Sequence, residues 1–85
     1  METKEIQIAL RNGLEARPVA MFVQTASQFK SNVYVNYQDK RINGKSIMGM
    51  MSLSLAQGET ITVSTEGPDE AAALKGIENY LTSKE

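Results

Sequence analysis

The chain has no cysteine and no histidine among its 85 residues. Without cysteine it has neither a disulfide framework nor a thiolate nucleophile. Without histidine it lacks both the commonest metal ligand and the commonest side chain for acid–base catalysis. A domain of this length also has no room for a deep catalytic cleft. These absences exclude zinc sites and Ser-His or Cys-His catalysis, and we expect a protein that is not an enzyme and uses no metal ion or cofactor.

Long apolar runs are absent as well. No stretch approaches the roughly 18 consecutive apolar residues that indicate a membrane-spanning helix. The N-terminal segment METKEIQIAL lacks the basic and then apolar layout of a secretion signal. We therefore expect a cytoplasmic protein that does not contact a membrane.

The charges give no sign of a nucleic-acid interface. The net charge is −1, although residues 1–45 carry seven basic and four acidic side chains while residues 46–85 carry two and six. This asymmetry could place charge of one sign on one face of the protein, but it is not the basic stripe with which proteins contact a phosphate backbone. We expect no direct contact with nucleic acid.

The spacing of apolar residues predicts four strands and three helices. Ile6, Ile8 and Leu10 alternate with their neighbours, the period of a half-buried strand. Between residues 19 and 26 apolar side chains recur three and four residues apart, which is typical of a helix. Asp69 and Glu70 would place negative charge at the positive end of the last helix. The predicted strands cover residues 6–10, 33–37, 40–43 and 60–65. The predicted helices begin near residues 18, 46 and 70, and the second ends near residue 53.

This order, βαββαβα, predicts an α+β protein. A four-stranded antiparallel sheet with three helices on one face, an open-faced sandwich, would bury every apolar stripe. No linker, internal repeat or low-complexity segment divides the chain. We expect a single domain over residues 1–85.

Two short segments are more specific: NGLEARP at residues 12–18 and KSIMGMMSL at residues 45–53. Together with the predicted order of elements, they closely resemble the HPr family, the small phosphocarrier proteins of the bacterial phosphoenolpyruvate-dependent sugar phosphotransferase system. The resemblance extends over essentially the whole chain. It implies the HPr-like fold and a phosphocarrier histidine in the turn before the first helix.

At the position of that histidine the chain has Glu15. Helix N-terminal amides and Arg17 favour an anion in such a turn. A carboxylate is a weak nucleophile and its phosphate hydrolyses readily, so the resemblance implies a degenerate phosphocarrier site. Two interpretations of Glu15 stay open. It either adds a favourable charge at the helix N-terminus or imitates phosphohistidine, for which it has too few oxygens and too little charge.

Ser46 stands where a helix N-cap is expected. A phosphate on its hydroxyl would meet unpaired amides and a favourable helix dipole, and Lys45 and Arg17 could add charge pairing. An ordinary structural cap is the alternative. In HPr proteins of low-GC Gram-positive bacteria the matching serine is phosphorylated by HPr kinase/phosphorylase, so the resemblance favours a phosphorylation site.

The segment after the predicted cap is apolar on more sides than a two-turn helix can bury. With Met50 and Leu53 packed inward, three apolar side chains would lie outward: Ile47, Met48 and Met51. Small domains commonly use such an exposed patch, and methionine adapts to several partner surfaces. A Met-rich core segment that fills gaps is the alternative. The resemblance favours the outward arrangement, because this face binds partners in the HPr family.

Within the family the sequence is most similar to the histidine-lacking paralogues of bacilli, which carry glutamine at the position of Glu15. The resemblance implies a regulator of transcription in carbon catabolite repression. The phosphorylated protein would be a corepressor of catabolite control protein A, a LacI-type repressor. Phosphorylated Ser46 and the outward apolar residues would make the contact, with Arg17 and Glu15 at its edge.

Two other functions stay open. One is an ordinary HPr phosphocarrier with a substitution at position 15. The other is an interaction module that regulates a metabolic enzyme without phosphorylation of Ser46. The oligomeric state is open between a monomer and a homodimer that exchanges its first strand, with the loop around Asn12 and Gly13 as the hinge.

Overall fold

The computed structural model of the chain describes residues 1–11, 13, 14 and 16–83. Its elements follow the predicted order βαββαβα, which confirms the fold class. The strands are β1 (Glu2–Gln7), β2 (Asn32–Tyr37), β3 (Lys40–Asn43) and β4 (Thr60–Glu66), and the helices are α1 (Ala16–Ser27), α2 (Ile47–Met51) and α3 (Glu70–Leu81).

The four strands form one antiparallel sheet in the order β1-β4-β2-β3. Alternate residues of the central strands, such as Val33 and Val63, are buried beneath the helices. The intervening residues lie on the open face, where the Arg41 guanidinium stacks 4.2 Å from the centre of the Tyr34 ring. The alternation of side chains along a strand thus separates a core face from an open face.

The core lies between this sheet and the three helices. Its members come from every helix, from three strands and from the loops that join them, so burial of apolar surface ties the elements together. The buried apolar residues of the cluster are Ile6, Ile8, Leu10, Leu14, Val19, Phe22, Val23, Ala26, Val33, Val35, Met50, Leu53, Leu55, Ile61, Val63, Leu74, Ile77 and Leu81.

The predicted first strand is displaced. Alternating apolar residues placed it at 6–10, whereas β1 covers Glu2–Gln7. Ile8 and Leu10 are buried as expected, but Ile8 continues the extended chain through the Ile8 N–H bond to the Glu59 carbonyl, at 2.8 Å. The first four residues of β1 are exposed and pair with β4 through their backbone, so apolar periodicity did not detect them.

Two helix boundaries also differ by a few residues. α1 begins at Ala16, so that Pro18 occupies its first turn, where proline is tolerated. α2 ends at Met51, earlier than the predicted end near 53, while Leu53 stays buried just after it. The core therefore uses this apolar segment beyond the helix itself.

At the start of α3 the two acids have different partners. The Glu70 carboxylate accepts a hydrogen bond from the Gly67 N–H at 3.1 Å. It also forms an ion pair with the Met1 α-amino group at 2.9 Å. Asp69 occupies the N-cap position but makes no side-chain cap bond. Negative charge lies at this helix N-terminus as predicted, but the Asp69 carboxylate bonds to a different part of the chain.

Candidate functional site at the start of α2

Ser46 caps α2, as the sequence predicted. Its backbone is extended, with φ −104° and ψ 113°, and its Oγ accepts a hydrogen bond from the Gly49 N–H at 3.2 Å. The side chain is half-buried rather than enclosed. A hydroxyl in this position is both a structural cap and a group at the positive end of a helix.

The charged residue next to the cap is already engaged. Lys45 Nζ donates to the Phe29 carbonyl oxygen, just beyond the end of α1, at 2.8 Å. Its backbone N–H donates to Asn43 Oδ1 at 2.9 Å. Pairing of Lys45 with a phosphate on Ser46, one of the sequence-based expectations, would require the ammonium group to leave the Phe29 carbonyl.

The apolar side chains of α2 divide between the core and the surface. Met50 is fully buried, whereas Ile47, Met48 and Met51 have exposed fractions of 48%, 84% and 47%. We call these three exposed residues the α2 patch. Their outward position is the one expected from the sequence, and it places apolar surface directly beside the Ser46 cap.

The β1–α1 turn is tied to the loop before β4. Gly13 adopts a left-handed backbone with φ 66°, and the Leu14 N–H donates to the Leu55 carbonyl at 2.8 Å. Arg17 is exposed in the first turn of α1. Glu15, the centre of the predicted degenerate phosphocarrier site, lies outside the described residues, as does Asn12 of the predicted hinge.

Met21 was not singled out from the sequence, yet its exposed fraction is 47%. The helical stripe that buries Val19 and Phe22 leaves position 21 on the other side of α1. Plotting the apolar residues outside that stripe would have detected it.

Metal binding and membrane insertion find no support in the described part of the chain. Across residues 1–11, 13, 14 and 16–83, no three acidic side chains come together in a way that could hold a metal ion. None of the helices formed by these residues has the length and apolar character needed to cross a bilayer.

Comparison with known proteins identifies the family. The family model described as the PTS HPr component phosphorylation site matches residues 2–83. The chain belongs to the HPr family. Over 81 residues it is 46% identical to the HPr-like protein Crh of Halalkalibacterium halodurans, a match that covers 95% of this chain and 96% of that protein. Its identity to the phosphocarrier protein HPr of Neisseria meningitidis is 47% over 81 residues, covering 95% and 91%.

Solved structures agree with this assignment. An HPr from Thermoanaerobacter tengcongensis superposes with a TM-score of 0.91 at 46% identity, covering 95% of this chain and 91% of that one. Crh of Bacillus subtilis, whose crystal structure is described as a dimer with a swapping domain, superposes with a TM-score of 0.76 at 41% identity, covering 95% and 93%. The family predicted from the two sequence motifs is therefore confirmed.

Proposed function

We propose that this HPr-family protein is a regulator of carbon catabolite repression. HPr kinase/phosphorylase phosphorylates Ser46, and the phosphorylated protein binds catabolite control protein A as a corepressor. The observation that carries the proposal is the juxtaposition of the Ser46 cap with the exposed α2 patch in a chain without histidine. Similarity to two Crh proteins at 46% and 41% identity supports it.

Charge explains how the switch would work. Phosphorylation adds roughly −1.5 to −2 units at the N-terminus of α2, where the dipole and the amides favour an anion. A phosphate oxygen could replace the hydroxyl as acceptor for the Gly49 N–H, so the fold would change little. The partner must then recognise the phosphate.

Binding of the phosphate by a basic pocket on the repressor would change the affinity enough to serve as a switch. One to three charge-assisted hydrogen bonds to the phosphate could form, and each is worth about 1.5–3 kcal/mol. Even one such bond implies roughly a tenfold to hundredfold gain in affinity, which should weaken as salt rises. The α2 patch would supply apolar contact area beside the phosphate, with Arg17 and Glu15 at the edge of the interface.

The proposal is tested with the kinase, ATP and purified repressor. Mass measurement should show one added phosphate, absent from Ser46→Ala. Calorimetric titration at two salt concentrations should then show tighter repressor binding by the phosphorylated form. Ser46→Ala should bind like the unmodified protein and Ser46→Asp only partly like the phosphorylated one, because aspartate lacks the third oxygen and the second charge. Equal affinities of the modified and unmodified forms would favour a phosphorylation-independent interaction module.

The proposal also includes the loss of phosphocarrier activity. Without an imidazole in the chain, incubation with phosphoenolpyruvate and the general phosphotransferase enzyme should leave the mass unchanged. The variant Glu15→His should accept a phosphoryl group from this enzyme if the rest of the turn still functions as it does in phosphocarrier members of the family. Labelling of the unaltered protein would favour the competing phosphocarrier function, which the 47% identity to an HPr also supports.

We further propose that the protein exists as a monomer and as a homodimer that exchanges β1. β1 lies at the edge of the sheet next to β4, and Gly13 lies between β1 and α1 with φ 66°. The described dimer of Bacillus subtilis Crh supports such an exchange. Light scattering over a range of protein concentrations would detect it, and a monomer at every concentration would contradict it.

A further inference from the structure

Sulfur in this protein is confined to methionine, because the chain has five methionines and no cysteine. The thioethers differ widely in access to solvent. Met48 has an exposed fraction of 84%, Met1 has 65%, Met51 and Met21 have 47%, and Met50 is fully buried. Any redox chemistry at sulfur must therefore take place at methionine, and access favours Met48.

We propose that Met48 is a redox modification site at which a hydroperoxide oxidises the thioether to a sulfoxide and thereby makes the α2 patch polar. The proposal deepens the function proposed above and rests on it for its regulatory meaning: oxidation would release the repressor from a protein that is still phosphorylated on Ser46. Its chemical part concerns the methionine alone.

The reaction is balanced by the peroxide. A lone pair of the Met48 sulfur attacks the terminal peroxide oxygen, the O–O bond breaks and an S–O bond forms. The hydroxysulfonium formed at sulfur releases its proton and becomes the sulfoxide, and the alkoxide or hydroxide that leaves takes up a proton, so the products are the sulfoxide and an alcohol or water. The sulfur loses two electrons and the peroxide gains them, so no metal or second reductant takes part. Methionine sulfoxide reductases reduce the sulfoxide back to methionine, so the modification is reversible and can serve as a switch.

The arrangement of α2 limits the damage to the surface. Met48 projects into solvent, while Met50, two residues further on, is fully buried in the core. The cap bond from the Gly49 N–H to Ser46 Oγ involves no thioether. Oxidation of Met48 should therefore leave the cap, the core and the phosphorylatable hydroxyl in place. Only the chemical character of the patch changes.

A sulfoxide is a polar, chiral group that weakens methionine-rich interfaces. Burying it against an apolar partner surface without a matching donor should lower affinity roughly tenfold to a hundredfold. The same change should reduce the retention of the free protein on a hydrophobic-interaction column. That second property is measured without any partner.

The experiment treats the full-length phosphorylated protein with hydrogen peroxide for short, graded times. Peptide mass mapping should show oxygen uptake at Met48 ahead of Met1, Met51 and Met21, with Met50 unreacted in the folded state. Retention should fall with the oxidation of Met48. At the shortest times that oxidise Met48, Met48→Leu should keep its own retention, whereas Met21→Leu, which still has Met48, should lose retention as the unaltered protein does.

Calorimetry with the repressor completes the test by comparing each protein with itself before and after peroxide. The oxidised protein should lose affinity, while the treated and untreated forms of Met48→Leu should bind alike. Earlier oxidation of Met1, Met51 or Met21, an equal loss of retention by Met48→Leu at the same short times, or unchanged repressor affinity after oxidation of Met48 would overturn the inference. Absence of repressor binding by the untreated phosphorylated protein would instead refute the proposed function, and the peptide map and retention would still decide whether Met48 is the oxidation site.

Discussion

The Ser31 hydroxyl donates a hydrogen bond to Oδ1 of Asp69 at 2.5 Å, joining the turn before β2 to the turn before α3. The backbone N–H groups of Ser31 and Lys30 also donate to this carboxylate, at 2.9 and 3.0 Å. In return the Asp69 N–H donates to Ser31 Oγ at 3.1 Å. The Ser31 hydroxyl, followed by the Lys30 N–H, lowers the pKa of Asp69 from its ordinary value of 3.8 to about 2.

This carboxylate should make stability depend on pH. Because the folded pKa lies below the unfolded one, the contribution of Asp69 is fully present above about pH 4 and is lost as pH falls towards about 2. Asp69→Ala should therefore lower the free energy of unfolding at neutral pH, and its difference from the unaltered protein should shrink in acid. Urea unfolding at pH values between 6 and 2 measures this difference.

A matched variant separates the hydrogen bonds from the charge. Ser31→Ala removes the first cause of the lowered pKa, so the pKa of Asp69 should rise towards 3.8 when followed by NMR. A stability difference for Asp69→Ala that stays constant down to pH 2 would show that the carboxylate acts through packing alone.

The Ser46 cap should contribute measurably to stability. Ser46→Ala leaves the Gly49 N–H without its side-chain acceptor and should cost about 1 kcal/mol in free energy of unfolding. Ser46→Asp should cost no more than a few tenths, since aspartate is an equally good N-cap. Urea unfolding of both variants at neutral pH checks this, and equal losses would indicate that the cap bond contributes nothing.

The two faces of α2 should respond differently to the same substitution. Met48→Asp changes a side chain that is 84% exposed and should alter stability by less than about 0.5 kcal/mol, and Met51→Asp should also cost little. Met50→Asp places an unpaired charge in the core and should cost roughly 3–5 kcal/mol. Thermal unfolding distinguishes them. Loss of the fold in Met48→Asp would mean that this residue belongs to the core.

Gly13 and Gly58 provide a matched pair for the β1–α1 turn. Both have positive φ, 66° and 93°. A Cβ on Gly13 would lie 2.3 Å from the Leu55 carbonyl oxygen, whereas a Cβ on Gly58 would meet no atom of the described residues within 4 Å. Gly58→Ala should therefore cost only backbone strain, about 1–3 kcal/mol. Gly13→Ala should cost a further 1–3 kcal/mol or so for the displaced backbone. Denaturant unfolding of the two variants is the measurement, and equal costs would contradict the predicted clash.

Local pattern was sufficient for most of the architecture and for part of the site. The i, i+3, i+4 spacing of apolar residues predicted the helix α1, and the serine before the apolar segment at 47–53 caps α2 by accepting a hydrogen bond from the amide three residues on. Ser46 and the outward position of Met48 could be predicted for that reason. Both depend on neighbours within one or two helical turns.

Only the tertiary structure decided the features that join distant segments. The first half of β1 has exposed side chains and is held by backbone bonds to β4, so no apolar period marks it. Lys45 donates to the Phe29 carbonyl, and the Asp69 carboxylate bonds to Ser31 rather than to its own helix. Sequence spacing carries no information about such bonds, because they require two segments to be brought together by the burial of a shared core. The amino-acid sequence by itself thus determined the spacing of apolar residues along the helices and strands, the Ser46 cap and the absence of an imidazole. The packed fold determined which polar groups from distant segments meet.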